Sequence, residues 1–228
     1  MSTMPPVITI DGPSGSGKGT ISRMLARRLS WNWLDSGALY RLLALSARQA
    51  GISLNDESAL ERLAGEMHIE FSLEGEETRV LLNGEDVSMA IRSEACASDA
   101  SRVAALPAVR KALLHLQRAF RTEPGLVADG RDMGTVVFPD AGIKIFLTAS
   151  AHARAERRWK QLKVQGINAS IDAITDELKA RDLRDEQRKM SPLRPASDAV
   201  VVDSTDKSIP EVLSCVLDLV EKRGIHVV

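Results

Sequence analysis

Five short apolar runs punctuate the chain: Val7 to Ile10, Asn32 to Leu34, Gly125 to Ala128, Lys144 to Leu147, and Ala199 to Val202. Helix-like segments separate them. Near-continuous apolar runs interleaved with helices predict an α/β fold with a parallel sheet covered on both faces, because parallel strands need crossover connections. Three of the helices carry clear stripes: Ile21, Met24, Leu25 and Leu29; Val109, Leu113, Leu116 and Phe120; and Ile209, Val212, Leu213, Val216, Leu217 and Val220. Each stripe is expected to pack on the sheet. Four of the five strands run straight into an aspartate, namely Asp11, Asp35, Asp129 and Asp203. Open parallel sheets bind ligands beyond the carboxyl ends of their strands, so these acids are expected to ring one crevice. Aspartate also favours strand-exit turns and helix N-caps, and for Asp203 the two readings stand level.

Two stretches break the alternation. Met67 to Val87 reads as short strands (His68 to Leu73, Arg79 to Leu82, Glu85 to Val87) with turns at Glu74 to Glu77 and at Asn83-Gly84, a small antiparallel β insert. Ala153 to Arg188 is helical and crowded with arginine and lysine, and it lacks a long apolar face, so it is expected to be a mobile flap rather than core. With no internal repeat and no proline- or glycine-rich linker, residues 1–228 read as one domain carrying two insertions.

Composition narrows the partners. The 228 residues are 44% hydrophobic, enough for a substantial core. Thirty Lys plus Arg against 31 Asp plus Glu give a net charge of -1, so no global field draws the chain onto nucleic acid or an anionic membrane. Any anion site must be local. Cys96 and Cys215 show no metal or redox spacing, and His68, His115, His152 and His226 stand singly, which argues against a protein-ligated metal. A strand-like run begins by Val7 without secretory features, and no 18-residue apolar stretch follows; the expectation is a cytoplasmic protein. No apolar seam suggests a partner subunit, so a monomer is expected.

The strongest local signal is Gly12-Pro13-Ser14-Gly15-Ser16-Gly17-Lys18-Gly19-Thr20, directly after a strand and before an amphipathic helix. Glycines let the backbone curl around a polyphosphate with its amides inward, the helix adds the positive end of its dipole, and Lys18 supplies a full charge. Gly19 stands where Ser or Thr would normally hold magnesium. This G-x-x-G-x-G-K-G-T form resembles that of nucleoside monophosphate kinases, which implies ATP as donor and Mg2+ held mainly by phosphates and water, with Asp129 as a further candidate.

Arginines suit the other half of such a site, since their planar forks bind phosphate through paired hydrogen bonds. Asp35-Ser36-Gly37-Ala38-Leu39-Tyr40-Arg41 follows the second strand, with Ser36 the expected N-cap and Arg41 in the first turns of a helix. Asp129-Gly130-Arg131-Asp132 follows the third. Taken singly, each arginine also reads as a solvated surface charge. In the flap, Arg154, Arg157 and Arg158 crowd one side of a helix, and Arg181, Asp185 and Arg188 stack at helical spacing. Arg157 with Arg158, and Arg181 with Arg188, are expected to face phosphate or sugar; Arg154 and Arg184 are expected to sit in exposed salt bridges.

With these residues assembled, the chain resembles the bacterial cytidylate kinases from Val7 through the final helix. The resemblance rests on Ile8-Thr9-Ile10-Asp11-Gly12-Pro13-Ser14-Gly15, Leu34-Asp35-Ser36-Gly37, Ala128 to Pro139 and Arg181-Asp182-Leu183-Arg184-Asp185. It implies a P-loop fold, an acceptor-binding insert at about 63–102 and a lid at about 153–188. It further implies that Ser36, Arg110 and Asp132 contact the cytosine of CMP or dCMP with Ser101 nearby. Arg181 and Asp185 would hold the ribose, Arg41, Arg131 and Arg188 the acceptor phosphate, and Arg157 with Arg158 would close over ATP. Cytosine offers an amino donor beside ring acceptors, so selection against uracil calls for an acceptor such as Asp132 and a donor such as Arg110. Asp132→Asn is therefore expected to weaken CMP turnover more than UMP turnover; equal loss on both would count against the assignment, the runner-up being a kinase for UMP, dTMP or AMP, or a small-metabolite kinase sharing the glycine loop. A nucleotide-driven switch is the reading from another class, and a nucleic-acid arm in the flap a third; overall neutrality opposes the last.

Overall fold

The computed structural model describes residues 4–73, 78–164, 166–188 and 190–225, apart from the side chain of Glu94. The expected turn at Glu74 to Glu77 and His226 lie outside them. All five expected strands form: β1 (Val7–Asp11), β2 (Asn32–Asp35), β6 (Leu126–Gly130), β7 (Ile143–Thr148) and β8 (Val200–Asp203). They make one parallel sheet in the order β2-β6-β1-β7-β8. Registers of Asp35 with Asp129, Ile10 with Asp129, and Asp11 with Gly130 bring the carboxyl ends of β2, β6 and β1 level. That alignment creates the ledge on which a ligand can sit.

Helices cover both faces. On one, α1 (Lys18–Leu29) and α8 (Ile209–Glu221) pack Ile21, Leu25, Val216 and Val220 onto Ile8, Ile10, Val127 and Ile145. Each such side chain removed from water contributes on the order of 1.5–3 kcal/mol. On the other face, α2 (Ser36–Gln49) buries Leu39, Leu42 and Leu43 with Val7, Leu34 and Ala128. The second stripe joins the same core. Helix α5 (Pro107–Ala119) sends Val109 and Leu113 into the core that holds Val7, Leu34 and Ala128, and also packs on α3 (Glu57–Glu66), while α4 (Glu94–Val103) packs on α2.

The insert is a three-stranded antiparallel sheet, β3 (Ile69–Ser72), β4 (Arg79–Leu82) and β5 (Glu85–Asp86). Its β4-β5 turn uses Asn83 and Gly84 at φ 51 and 84, the left-handed pair that a tight hairpin demands. Phe71 meets Trp33 edge-on and leans on Phe120, each at 5.5 Å between ring centroids, which fastens the insert to the main body. Helices α6 (Ala151–Val164) and α7 (Ile171–Glu186) form a pair with a small core of Ala155, Leu162, Ile174 and Leu178. No described helix is long and apolar enough to cross a membrane.

Candidate active site

The glycine loop leaves β1 and enters α1. At Gly12 (φ 153) a Cβ would lie 2.0 Å from the Leu147 carbonyl oxygen, so only glycine lets the chain pass β7 this closely. Gly17 (φ 93) starts α1 without a side-chain cap, leaving the first amides to whatever anion arrives. Ser14, Gly15, Ser16, Gly17, Lys18, Gly19 and Thr20 line a cavity of about 950 Å³, whereas Gly12 and Pro13 lie beneath its wall. Lys18 Nζ donates to the Pro13 carbonyl at 3.3 Å. Desolvation, helped by Arg131, lowers Lys18 to about 7 against the pull of Asp129 and Asp35. Desolvation and then Asp35 raise Asp129 to about 7. Ser22 Oγ donates to Asp129 at 2.8 Å and is itself held by Trp33 Nε1 at 2.9 Å.

Of the strand-end aspartates, only Asp35 and Asp129 face the cavity. Asp11 is buried beneath, where it accepts from the amides of Met133 and Gly134 at 2.8 Å each and steadies a turn of π-helix over Met133–Val137. Burial raises it to about 6. Asp203 turns away, accepting from the Thr205 amide at 2.8 Å in a local turn. The ring of four acids is thus corrected to two, since a side chain's direction at a strand exit depends on the loop that follows. Ser36 is not the N-cap either. Asp35, one residue earlier and still extended, accepts from the Ala38 amide at 3.0 Å, while Ser36 opens α2, is buried, and donates to Gln117 Oε1 at 2.7 Å.

Arg41, Arg131, Arg181 and Arg188 line the same cavity, the last three grouped around Asp185. Arg131 Nε meets one Asp185 oxygen at 3.0 Å and Arg188 binds the other. Burial would raise Asp185, but Arg131 and Arg188 outweigh it and hold the carboxyl below its ordinary range. Arg181 carries a buried Nε with no partner, and desolvation with Arg131 lowers it to about 10. Arg41 Nε donates to the Gly37 carbonyl at 3.3 Å. Several guanidinium groups around one carboxylate repel one another in a partly dry site, an arrangement that an added anion relieves. Farther along the wall, Arg110 pairs with Asp132, donates to the Ala104 carbonyl at 3.2 Å, and lies 5.8 Å over the Tyr40 ring. Ser101 lines the same region.

From the helical pair, Arg157 donates to Ser204 Oγ at 3.1 Å and to the Ser16 carbonyl at 3.4 Å. Arg158 also lines the cavity, donating to Gln161 at 3.3 Å, and Arg184 is exposed. Arg154 corrects its expectation. It is only 5% exposed, donates to the Ser14 carbonyl at 3.1 Å, and pairs at 2.6 Å with Asp182 of the next helix. Helical spacing could group these arginines but could not show which face the glycine loop covers. Sequence reasoning also passed over Ser204, which donates to the Ser16 carbonyl at 3.1 Å, and Gln117. The strand exit at Asp203 pointed near the first; two helical turns from Arg110 pointed near the second.

A family model described as Cytidylate kinase matches residues 8–222. A curated protein named Cytidylate kinase from Pseudomonas savastanoi pv. phaseolicola is 59% identical over 222 residues, covering 96% of this chain and 97% of that one. Its namesake from Pseudomonas fluorescens is 55% identical over 227 residues, 99% of each. Among solved structures, an uncharacterized protein from Eubacterium ventriosum ATCC 27560 aligns with a TM-score of 0.52 at 11% identity, covering 95% of this chain and 98% of that one. That likeness speaks to the fold alone.

Proposed function

The chain belongs to the cytidylate kinase family and phosphorylates CMP and dCMP with ATP, a reaction for which we propose the following division of labour. The loop from Gly12 to Thr20 cradles the ATP phosphates, with Lys18 on the outer ones. Arg41, Arg131 and Arg188 hold the acceptor phosphate, and Arg181 with Asp185 holds the ribose hydroxyls. Ser36, Arg110 and Asp132, with Ser101, hold the cytosine. Arg157 and Arg158 close over ATP from the lid. One observation above the rest supports this reading: the glycine loop and the arginine group line one cavity, as two facing strings of phosphates require.

An acceptor phosphate oxygen attacks the γ-phosphorus, the bond to the bridging oxygen breaks, and ADP leaves carrying that oxygen. No enzyme group needs to be phosphorylated. Positive side chains offset the charge as it shifts, and lid closure excludes water that would otherwise accept the phosphoryl group. The donor set fits magnesium: Asp35 and Asp129 face the loop, Gly19 leaves room beside Asp129, and a dication favours the ionised form of a carboxyl raised by burial. When bound, Mg2+ neutralises phosphate oxygens. The chain works as one domain, with the acceptor insert at about 63–102 and the lid at about 153–188. On the same reading it acts as a cytoplasmic monomer.

An ADP-release assay against a panel of monophosphates tests the scheme. CMP and dCMP are expected to exceed UMP and AMP, and Lys18→Ala should abolish turnover. Failure to convert CMP would overturn it, and strong ATP hydrolysis without any monophosphate would point to a switch instead.

A further inference from the structure

Gln117 is 2% exposed and stands behind the cavity wall, yet it touches Ser36, which lines that wall. Helix geometry explains its place, because Gln117 lies two turns beyond Arg110 and α5 presents both on one side. Its hydrogen bonds leave no freedom of assignment. Gln117 Nε2 donates to the Leu113 carbonyl at 3.1 Å, and since a carbonyl can only accept, the amide nitrogen must be at that end. Oε1 is then the atom facing Ser36, and it too can only accept. Ser36 Oγ, 2.7 Å away, must donate its single proton there. What remains to the cavity is the hydroxyl's lone pairs.

We propose that Gln117 is a positioning residue for base selection. By holding the Ser36 hydroxyl as an acceptor, it makes that corner of the cavity fit an exocyclic amino group and oppose a carbonyl oxygen. Cytosine carries the amino group on this edge, and uracil the carbonyl. Asp132, fixed by Arg110, supplies a second acceptor, so each hydrogen of one amino group can find an oxygen. Ser36 has little room to turn, being 3% exposed and packed against Gly130, where an added Cβ would lie 3.2 Å from its own. The inference rests on the CMP reading given above and adds to it a residue that touches no substrate.

Gln117→Met keeps length and volume but removes the acceptor, freeing the hydroxyl to donate to a carbonyl. The measurement is kcat/KM for CMP and for UMP in the wild type, Gln117→Met, Ser36→Ala and the double variant. The CMP/UMP ratio is expected to fall about tenfold in Gln117→Met, and the double variant should fall no further than Ser36→Ala alone. Gln117→Glu supplies a second arm, since its protonated carboxyl can donate to Leu113 and accept from Ser36; at about pH 6 it should retain the ratio. Equal losses on both substrates, an unchanged ratio, or independent effects in the double variant would overturn the role. A wild type that does not prefer CMP would instead sink the CMP reading itself.

Discussion

Lys18 sits among groups that pull its proton in opposite directions. Desolvation and Arg131 outweigh Asp129 and Asp35, so the lysine titrates near 7 in the free chain. Phosphate oxygens favour its charged form, so nucleotide binding raises that pKa and takes up a proton. The complex then holds more protons than the free chain above pH 7, and affinity must fall as pH rises through that range. Asp129, raised to about 7, titrates together with the lysine, so the profile belongs to the pair. ATP affinity measured by calorimetry between about pH 8 and 9 is expected to weaken by up to about tenfold per unit. Lys18→Arg should flatten the profile, because a guanidinium keeps its charge; a flat wild-type profile would contradict the lowered lysine. The lysine itself was legible from its loop, but its charge state was not, since desolvation is a property of what surrounds a group and not of its neighbours in sequence. Ser36 and Asp35 show the same limit. Both residue types suit an N-cap, and only the backbone at Asp35 settles which one caps.

At the scale of elements, the sheet strands were legible to within a residue or two at each end, because period and length mark a buried strand locally. The face that each helix buries was less so. Arg154 read as solvated because its neighbours are polar, yet α6 lays it against the glycine loop and its pairing with Asp182 ties α6 to α7. Arg154→Met should strand the Asp182 carboxylate and lower unfolding stability by about 3 kcal/mol in denaturant titrations. Arg184→Ala, at an exposed position on α7, should change it by no more than about 0.5 kcal/mol. Similar losses in the two variants would show that the Arg154 contacts contribute little. Helix α5 carries the complementary lesson: its stripe predicted that Val109 and Leu113 enter the core beside the sheet, but periodicity did not show that α3 packs on the helix as well.

Across the whole molecule, two bodies of apolar packing line the sheet while α6 and α7 hold a small cluster of their own. Few buried contacts make a segment the first to open and the cheapest to move. Hydrogen exchange should therefore slow several-fold in α6 and α7 when ATP and CMP are both bound, while β1 and β6 stay unchanged; equal protection everywhere would argue against a closing lid. By itself the sequence determined the alternation of strands and helices, the antiparallel insert and the position of the phosphate loop, because each follows from periodicities and turn residues spanning a few positions. Tertiary structure alone decided the strand order β2-β6-β1-β7-β8, the pairing of Arg110 with Asp132 across 22 residues, of Arg131 with Asp185 across 54, and the contact of Arg154 with Ser14 across 140. Such meetings depend on which surfaces exclude water together, and that is a property of the packed chain that local spacing does not carry.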